Sequence, residues 1–486
     1  MKADICMVCE GSYPYLLGGV SEWVHQLIES QKELTFHILS VAPPHPDLTI
    51  RYKLPSNVVG HTTYIVQELH KGARSFHSPE KLWETLEATI EGMISSPTFE
   101  KFSPLLELFE KERNTLGTRI LCESPEAWNF LLKLYEKKIP SAPFKAYFAS
   151  LHTLTLSLFS MLSPPLPEAK LFHSVCTGYA GFLLYRAKKE LKVPCILTEH
   201  GIYSNERRIE IALSDWILDK NAFNLSITEK KINLKEFWLN AFFALAHVCY
   251  HHADELLTTF DGHQKIQIDG GADPKKVRTI VHGIPLKKRK KKEKELRPST
   301  VAFIGRVVPI KDVKTFIRAA HLVLEKLPQT RFLLLGPKNE DPDYVVECQA
   351  LIDSLGRTKE LHFTGSVNLE DYFPQIDLIV LTSISEAQPF VILESGAVGI
   401  PCVATNVGAC KQLIQGNDTE SPRLGSGGLV TELVNPESTA AAIIQLLTDE
   451  PLYKRCSTAI AERINTYYRF EDEQAEYRKI YEEYLR

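Results

Sequence analysis

Two rhythms of apolar residues alternate along this chain. Short runs of strand-like composition, beginning with MKADICMVCEG, are separated by longer stretches with apolar positions three and four residues apart, the spacing of helices that cover a sheet. The short runs predict strands at 4–9, 36–41, 171–175, 195–198, 255–259 and 277–281. A second series follows at 301–304, 332–335, 361–364, 377–381 and 402–405. Strands that alternate with helices build parallel sheets, so two series predict an α/β protein with two doubly wound, Rossmann-like domains. Each series opens with a glycine-bearing turn, Gly18-Gly19 in the first and Gly305 in the second. Ligands of such sheets bind beyond the carboxyl ends of the strands, and two facing domains would bring both turns to one cleft.

Residues 70–168 break this rhythm. SPEKLWETLEATIEGMI and SPEAWNFLLKLYEKKI begin with helix-start residues and continue with apolar positions at helical spacing, which predicts a helical insertion in the first domain. The tail after Pro451 is also helical, and rich in tyrosine and charge. The run KKRKKKEKE at 287–295 is too densely charged to enter a core and reads as an exposed linker. Its lysines alone would suit a nuclear signal or a nucleic-acid patch, but acidic neighbours dilute them. The expected domains are 1–286 and 299–470, joined by the charged linker at 287–298 and followed by a helix at 471–486.

Composition narrows the class. A chain of 486 residues is too long for one ordinary core. With 44% apolar and 24% charged residues it is globular rather than disordered. A net charge of −4 gives no field that favours nucleic acid, which is not an expected partner. No window holds the roughly 18 consecutive apolar residues of a membrane span, and the first residues lack the layout of a signal peptide. A cytoplasmic protein is expected. The ten cysteines fall mostly in apolar runs such as PCILTEH and PCVATNV, where they act as small hydrophobes. Cys6 and Cys9 have the spacing of half a metal or redox motif, without a second pair.

The densest chemistry lies in LTSISEAQPFVILESGAVGIPCVATNVG, residues 381–408. Glu386 and Glu394 stand eight positions apart where a strand gives way to a helix. A helix N-terminus offers unpaired N–H groups and a partial positive charge to phosphate, and Pro389 suits the first helical position. Carboxylates beside such a site cannot hold phosphate and are suited to sugar hydroxyls instead. A nucleotide-sugar site is the leading reading, with Glu386, Ala387, Gln388, Pro389, Phe390, Val391 and Glu394 as candidate donor contacts. Glu394 sits among apolar residues, where an unpaired carboxylate is costly; a structural salt bridge would satisfy it as a sugar would.

Arg306 and Lys311 follow a strand and precede a helix. Two cations there can neutralise a diphosphate and the charge of a departing nucleotide, although ordinary surface cations occupy similar places. His200 ends the strand in CILTEHG, where a doubly wound domain displays functional side chains; a histidine bonded to backbone in the core fits the same place. Glu199 points to the opposite side if the strand continues. Arg207 and Arg208 suit phosphate, an anionic acceptor or plain solvent, and His173 in LFHSV is a weaker candidate. Asp341-Pro342-Asp343 has the spacing of a metal-binding pair, but proline and acids are common in such turns, and no metal is expected.

Taken together these motifs resemble glycosyltransferase family 4, retaining enzymes of the GT-B fold. The resemblance rests on Glu386 and Glu394, on Gly305-Arg306 with Lys311 five positions after Arg306, and on the turn Gly18-Gly19-Val20. LTEHGIYSNERRIEI, MVCEGSYPYLLGGVSEWVHQLI, FHSVCTGYAGFL and GGADPKKVRTI are similar to the subgroup of Pel-type exopolysaccharide synthesis, and the likeness runs from residue 3 to about residue 470. It implies a hexosyltransferase that moves a hexosyl or N-acetylhexosaminyl group from a nucleotide diphosphate sugar, a UDP-sugar as the best guess, to a polysaccharide or glycan acceptor. No metal or other cofactor is implied. Catalytic roles fall on His200, Arg306, Lys311 and Glu386, with Glu386 at the transferred sugar and Glu394 at the ribose; Gly18, Gly19 and Gly305 join the donor contacts. The first domain would form the acceptor side, and the last helix would cross back onto it. Membrane-embedded synthesis and export subunits would be partners, with the protein peripheral at the inner membrane.

The chain departs from the family pattern in three places. Ala387 stands where glycine is common, and glycine permits left-handed backbone angles that alanine resists. Val281-His282-Gly283-Ile284-Pro285 replaces the usual P-N-G-I-D, and Gly396-Ala397 replaces larger residues. These support an alternative, a catalytically silent nucleotide-sugar-binding subunit of a polysaccharide-synthesis complex; a synthase or epimerase on the same fold is another. An NAD-dependent oxidoreductase is weakened because no G-x-G-x-x-G follows either first strand.

Overall fold

The run ADICMVCE becomes an interior strand of a sheet, with its residues from Ile5 to Cys9 fully buried, as expected of a parallel strand covered on both faces. The structure is a computed structural model that describes residues 2–213, 232–285, 299–417 and 420–486. The expected linker at 287–298 lies outside the described residues. The chain divides into two units, one of Met1–Thr279 with Arg478–Arg486, the other of Ile280–Tyr477.

In the first unit, β1 (Ala3–Glu10), β2 (Phe36–Ala42), β3 (Val58–Ile65), β4 (Ala169–Ser174), β5 (Cys195–Glu199), β6 (Glu255–Thr258) and β7 (Val277–Thr279) form a parallel sheet in the order β3-β2-β1-β4-β5-β6-β7. The Gly19–Ser30 helix follows β1 and buries Trp23, Val24, Leu27 and Ile28, one face at helical spacing. Between β3 and β4 the chain forms the helices Pro79–Ser95, Ser103–Lys111, Thr118–Leu121, Pro125–Lys138 and Phe144–Leu162. Their apolar faces share one core with the sheet.

The final helix, Phe470–Leu485, ends among residues that belong to the first unit. There the Tyr481 hydroxyl lies 2.7 Å from His173 Nδ1, while His173 Nε2 lies 2.8 Å from the Thr198 hydroxyl. Burial holds the His173 imidazole down at about 3. This histidine is a buried structural group rather than a displayed one. Arg478 donates to Gln31 and to the Ser30 carbonyl, and the Tyr484 hydroxyl to Glu255.

In the second unit, β8 (Thr300–Ile304), β9 (Arg331–Leu335), β10 (Leu361–Gly365), β11 (Leu378–Leu381), β12 (Cys402–Thr405) and β13 (Gly428–Thr431) form a parallel sheet in the order β10-β9-β8-β11-β12-β13. Both sheets therefore reverse direction between their first and fourth strands. That switch point is where an open α/β sheet binds ligands. The Val313–Lys326 helix buries Val313, Phe316, Ile317, Ala320, Val323 and Leu324 against this second sheet. β3 and β13, absent from the sequence expectation, are each an edge of their sheet.

Candidate active site

In the second unit the chain leaves β8 through Gly305 and Arg306 and leaves β11 through Thr382 and Ser383. These two exits are laced together. Thr382 Oγ1 donates to the Asp312 carbonyl at 2.8 Å, and the Ile384 amide donates to the Ile310 carbonyl at 2.9 Å. Asp312, with a left-handed backbone, caps the Val313–Lys326 helix by accepting from the Thr315 amide. The lacing brings Lys311 Nζ to 2.6 Å from Glu386 Oε1, the oxygen that also accepts from the Ser383 hydroxyl at 2.6 Å. The pair is mostly sheltered, with 20% of the Lys311 side chain and 10% of the Glu386 side chain exposed.

From Glu386 the chain runs into the Phe390–Ala397 helix. Pro389, expected as the first helical residue, is instead its N-cap, with an extended ψ of 116° and no side-chain oxygen to offer the first turn. Helix ends shift by a residue or two because capping residues are only half inside. Glu394 is half-buried on the second turn, between the buried Leu393 and Ser395. Ala387 takes no positive φ, so the loop does not need there the left-handed angle that glycine would permit. The conformational demand falls on Gly408 (φ 50°), where a Cβ would stand 2.1 Å from the Glu386 carbonyl oxygen. Thr405 Oγ1 and the Ala409 amide close the strap by donating to the carbonyls of Ser383 and Ala387.

Arg306 does not join the Lys311–Glu386 pair. Its half-exposed guanidinium bonds Glu340, in the loop before the Pro342–Ser354 helix. A surface ion pair of this kind is weak and exchangeable, so the cation remains available to an anion at the end of β8. Asp341, half of the metal-like spacing, caps that helix by accepting from the Tyr344 amide at 3.0 Å. Gln388, expected as a donor contact, is buried with its amide turned to the His282 backbone.

In the first unit Gly18 is extended, and a Cβ there would meet open space. Gly19 begins the helix that carries Trp23. The Trp23 ring stands edge-on to His200, 4.4 Å between centroids, which sets His200 at the carboxyl end of β5 beside the glycine turn. Arg207 is half-buried over the Tyr203 ring and bonds Glu210, while Arg208 is exposed.

Sequence reasoning passed over Glu10 and named Glu199 only as turned to the opposite side of its strand, and these two acids close the same end of the first sheet. Glu10, the last residue of β1, accepts from the Ala180 amide and the Tyr203 hydroxyl, both at 2.9 Å. Glu199 is fully buried and accepts from Thr177, the Tyr203 amide, Tyr250 and Gln267. Burial raises both carboxyls, Glu199 up to about 7 despite its four donors. The available signal was a carboxylate ending an otherwise apolar strand. A raised carboxyl contributes stability present below its unfolded value and lost as pH rises through the folded one. The stability of Glu199→Gln relative to wild type should therefore rise by ~3 kcal/mol between pH 4 and pH 8, read from urea unfolding at each pH.

A cavity of about 810 Å³ opens beside β2 and β3, lined by His37, Thr62, Tyr64, Glu68 and Pro165 among others, and contains none of the candidate residues. Among the described residues, no helix is long and apolar enough to cross a membrane.

Two parallel sheets with these strand orders, and a charged pair at the switch point of the second, define a fold of the GT-B glycosyltransferase type. The chain belongs to the family described as "Domain of unknown function (DUF3492)", whose model matches residues 3–275. Residues 286–463 match the family described as "Glycosyl transferases group 1". Among curated relatives, N-acetyl-alpha-D-glucosaminyl L-malate synthase of Bacillus anthracis is 28% identical over 178 residues, 36% of this chain and 43% of that one. The chain thus spans less than half the length of that relative. UDP-Gal:alpha-D-GlcNAc-diphosphoundecaprenol alpha-1,3-galactosyltransferase of Escherichia coli is 24% identical over 331 residues, 64% of this chain and 75% of that one. Among solved structures, Anabaena HepE in complex with UDP and glucose superposes with a TM-score of 0.59 at 12% identity, covering 98% of this chain and 99% of that one. That likeness is one of fold.

Proposed function

We propose that this protein is a retaining glycosyltransferase that moves a hexosyl or N-acetylhexosaminyl group from a UDP-sugar to a glycan acceptor. The observation that carries this reading is the meeting of Lys311, Glu386, Ser383 and the start of the Phe390–Ala397 helix at the β8/β11 switch point. Lys311, Arg306 and the first turn of that helix hold the diphosphate, and Glu386 and Glu394 accept from sugar hydroxyls. The two relatives' printed activities, each a glycosyl transfer or synthesis, support the class. The Pel-type likeness supports a polysaccharide acceptor, with membrane-embedded subunits as partners.

The anomeric carbon loses its bond to the β-phosphate oxygen and gains one to the acceptor oxygen on the same face, so configuration is kept. The acceptor proton passes to the leaving phosphate. Lys311 and Arg306 stabilise the negative charge that develops there, the electrostatic service a metal supplies elsewhere. His200 is the proposed catalytic residue of the first unit.

Calorimetric titration with UDP, GDP and ADP tests the reading. Micromolar binding of UDP and weaker binding of the other two is expected. Absence of binding to all three would overturn the transferase reading and favour a subunit that handles no nucleotide.

A further inference from the structure

Gln388 and His282 form a contact that nucleotide binding alone does not require. The His282 amide donates to Gln388 Oε1 at 2.7 Å, and Gln388 Nε2 donates back to the His282 carbonyl at 3.2 Å. A side-chain amide bonded to both the N–H and the C=O of one residue copies a rung of strand pairing. Turning it away would leave buried backbone groups unpaired, at about 1–3 kcal/mol each.

The His282 side chain fixes the other half of this rung. Its ring stacks on Phe390, the first residue of the helix, with centroids 4.5 Å apart and planes at 26°. Its Nδ1 lies 3.0 Å from Glu473 Oε1, and the second oxygen of Glu473 accepts from the Gly283 amide at 2.9 Å. The polar groups are sheltered: Gln388 is buried, and His282 and Glu473 expose 3% and 2% of their side chains. Gly283 lets the backbones touch, since a Cβ there would stand 2.2 Å from the Arg469 carbonyl oxygen. Ile284 exchanges backbone hydrogen bonds with Tyr468 and Phe470. The segment 282–284 is thus anchored on the 468–473 side and holds residues 388–390 on the other.

We propose that His282 and Gln388 are positioning residues: anchored by Glu473 and Phe390, they set the height and tilt of the 386–390 turn, and with it Glu386 and the phosphate-facing start of the helix. This assignment rests on the donor-site reading above. It gives a function to the departure from P-N-G-I-D, because a histidine ring spans Phe390 and Glu473 where an asparagine has no ring to stack. It also removes Gln388 from the residues that touch the donor.

The test uses the full chain with H282A, H282N, Q388L and Q388E. UDP affinity, donor and acceptor KM, kcat, and amide exchange over residues 384–392 are measured. H282A and Q388L should weaken UDP about tenfold, equivalent to ~1.4 kcal/mol. Donor KM should rise with acceptor KM unchanged, and exchange at 384–392 should quicken. H282N, which keeps a donor near the Nδ1 position, should recover part of the loss. Q388E keeps shape and volume, so it reports on the rung even if the other variants fold poorly. Affinity and exchange within twofold of wild type in these variants would overturn the inference while leaving the donor site intact. A wild type that binds no nucleotide would overturn the donor reading, and the inference with it.

Discussion

Lys311→Ala should lower turnover by roughly 10²–10³-fold, the usual cost of removing one preorganised charge from a transition state. The alternative is an ordinary ion pair with Glu386. A partly exposed pair of that kind contributes about 0–1 kcal/mol to stability, and its loss would leave turnover unchanged. The two readings differ by orders of magnitude in one number. Initial rates with a UDP-sugar donor, alongside the urea midpoint of the same variant, separate them. A rate within threefold of wild type would end the assignment of Lys311 to the leaving phosphate. Lys311→Arg should restore only part of the rate, because a guanidinium presents a planar fork where the site holds a point charge.

The largest stability effect is expected at Arg463. Its guanidinium is 1% exposed and meets Glu420, itself 5% exposed, through Nε at 2.6 Å and Nη2 at 3.0 Å. Nη1 donates to the Ile414 carbonyl at 2.7 Å, and Nη2 also reaches the Gly425 carbonyl. One side chain therefore ties down the approach to β13. Arg463→Met strands a buried carboxylate and two carbonyls, and should cost ~3–5 kcal/mol. Removing both charges in Arg463→Met with Glu420→Leu should recover much of that loss, because no ion is then left unpaired. Urea unfolding followed by circular dichroism reads both variants. A single-variant loss under 1 kcal/mol would show that the pair is not sealed from water.

The legible parts of the fold were those with two buried faces. β1, β8 and β11 read as continuous apolar runs because helices cover both sides of their sheets. β3 and β13 were missed for the converse reason. VVGHTTYI mixes polar and apolar residues on an edge that is mostly half-exposed, and GLVT is only four residues long after a glycine-rich stretch. At the candidate site, spacing singled out Arg306, Lys311, Glu386 and Glu394 as residues of interest. It said nothing of which would touch. The Lys311–Glu386 bond joins positions 75 apart, and the Gln388–His282 rung joins positions 106 apart. Local pattern carries no record of such pairings. Ala387 misled for a related reason: the glycine the loop requires is Gly408, on the neighbouring turn.

The placement of Tyr481 has a consequence for biosynthesis. A ribosome completes β7 about 200 residues before it reaches the segment that holds Tyr481. At ~5–20 residues per second that interval is roughly 10–40 s. Throughout it the emerging first unit lacks the ring that packs 6.4 Å from Phe36 and bonds His173. Its core stays open at that place until the segment that holds Tyr481 has been made. A nascent chain stalled between residue 279 and the segment that holds Tyr481 thus presents chaperones with an unfinished amino-terminal half, although β1 to β7 have all been made.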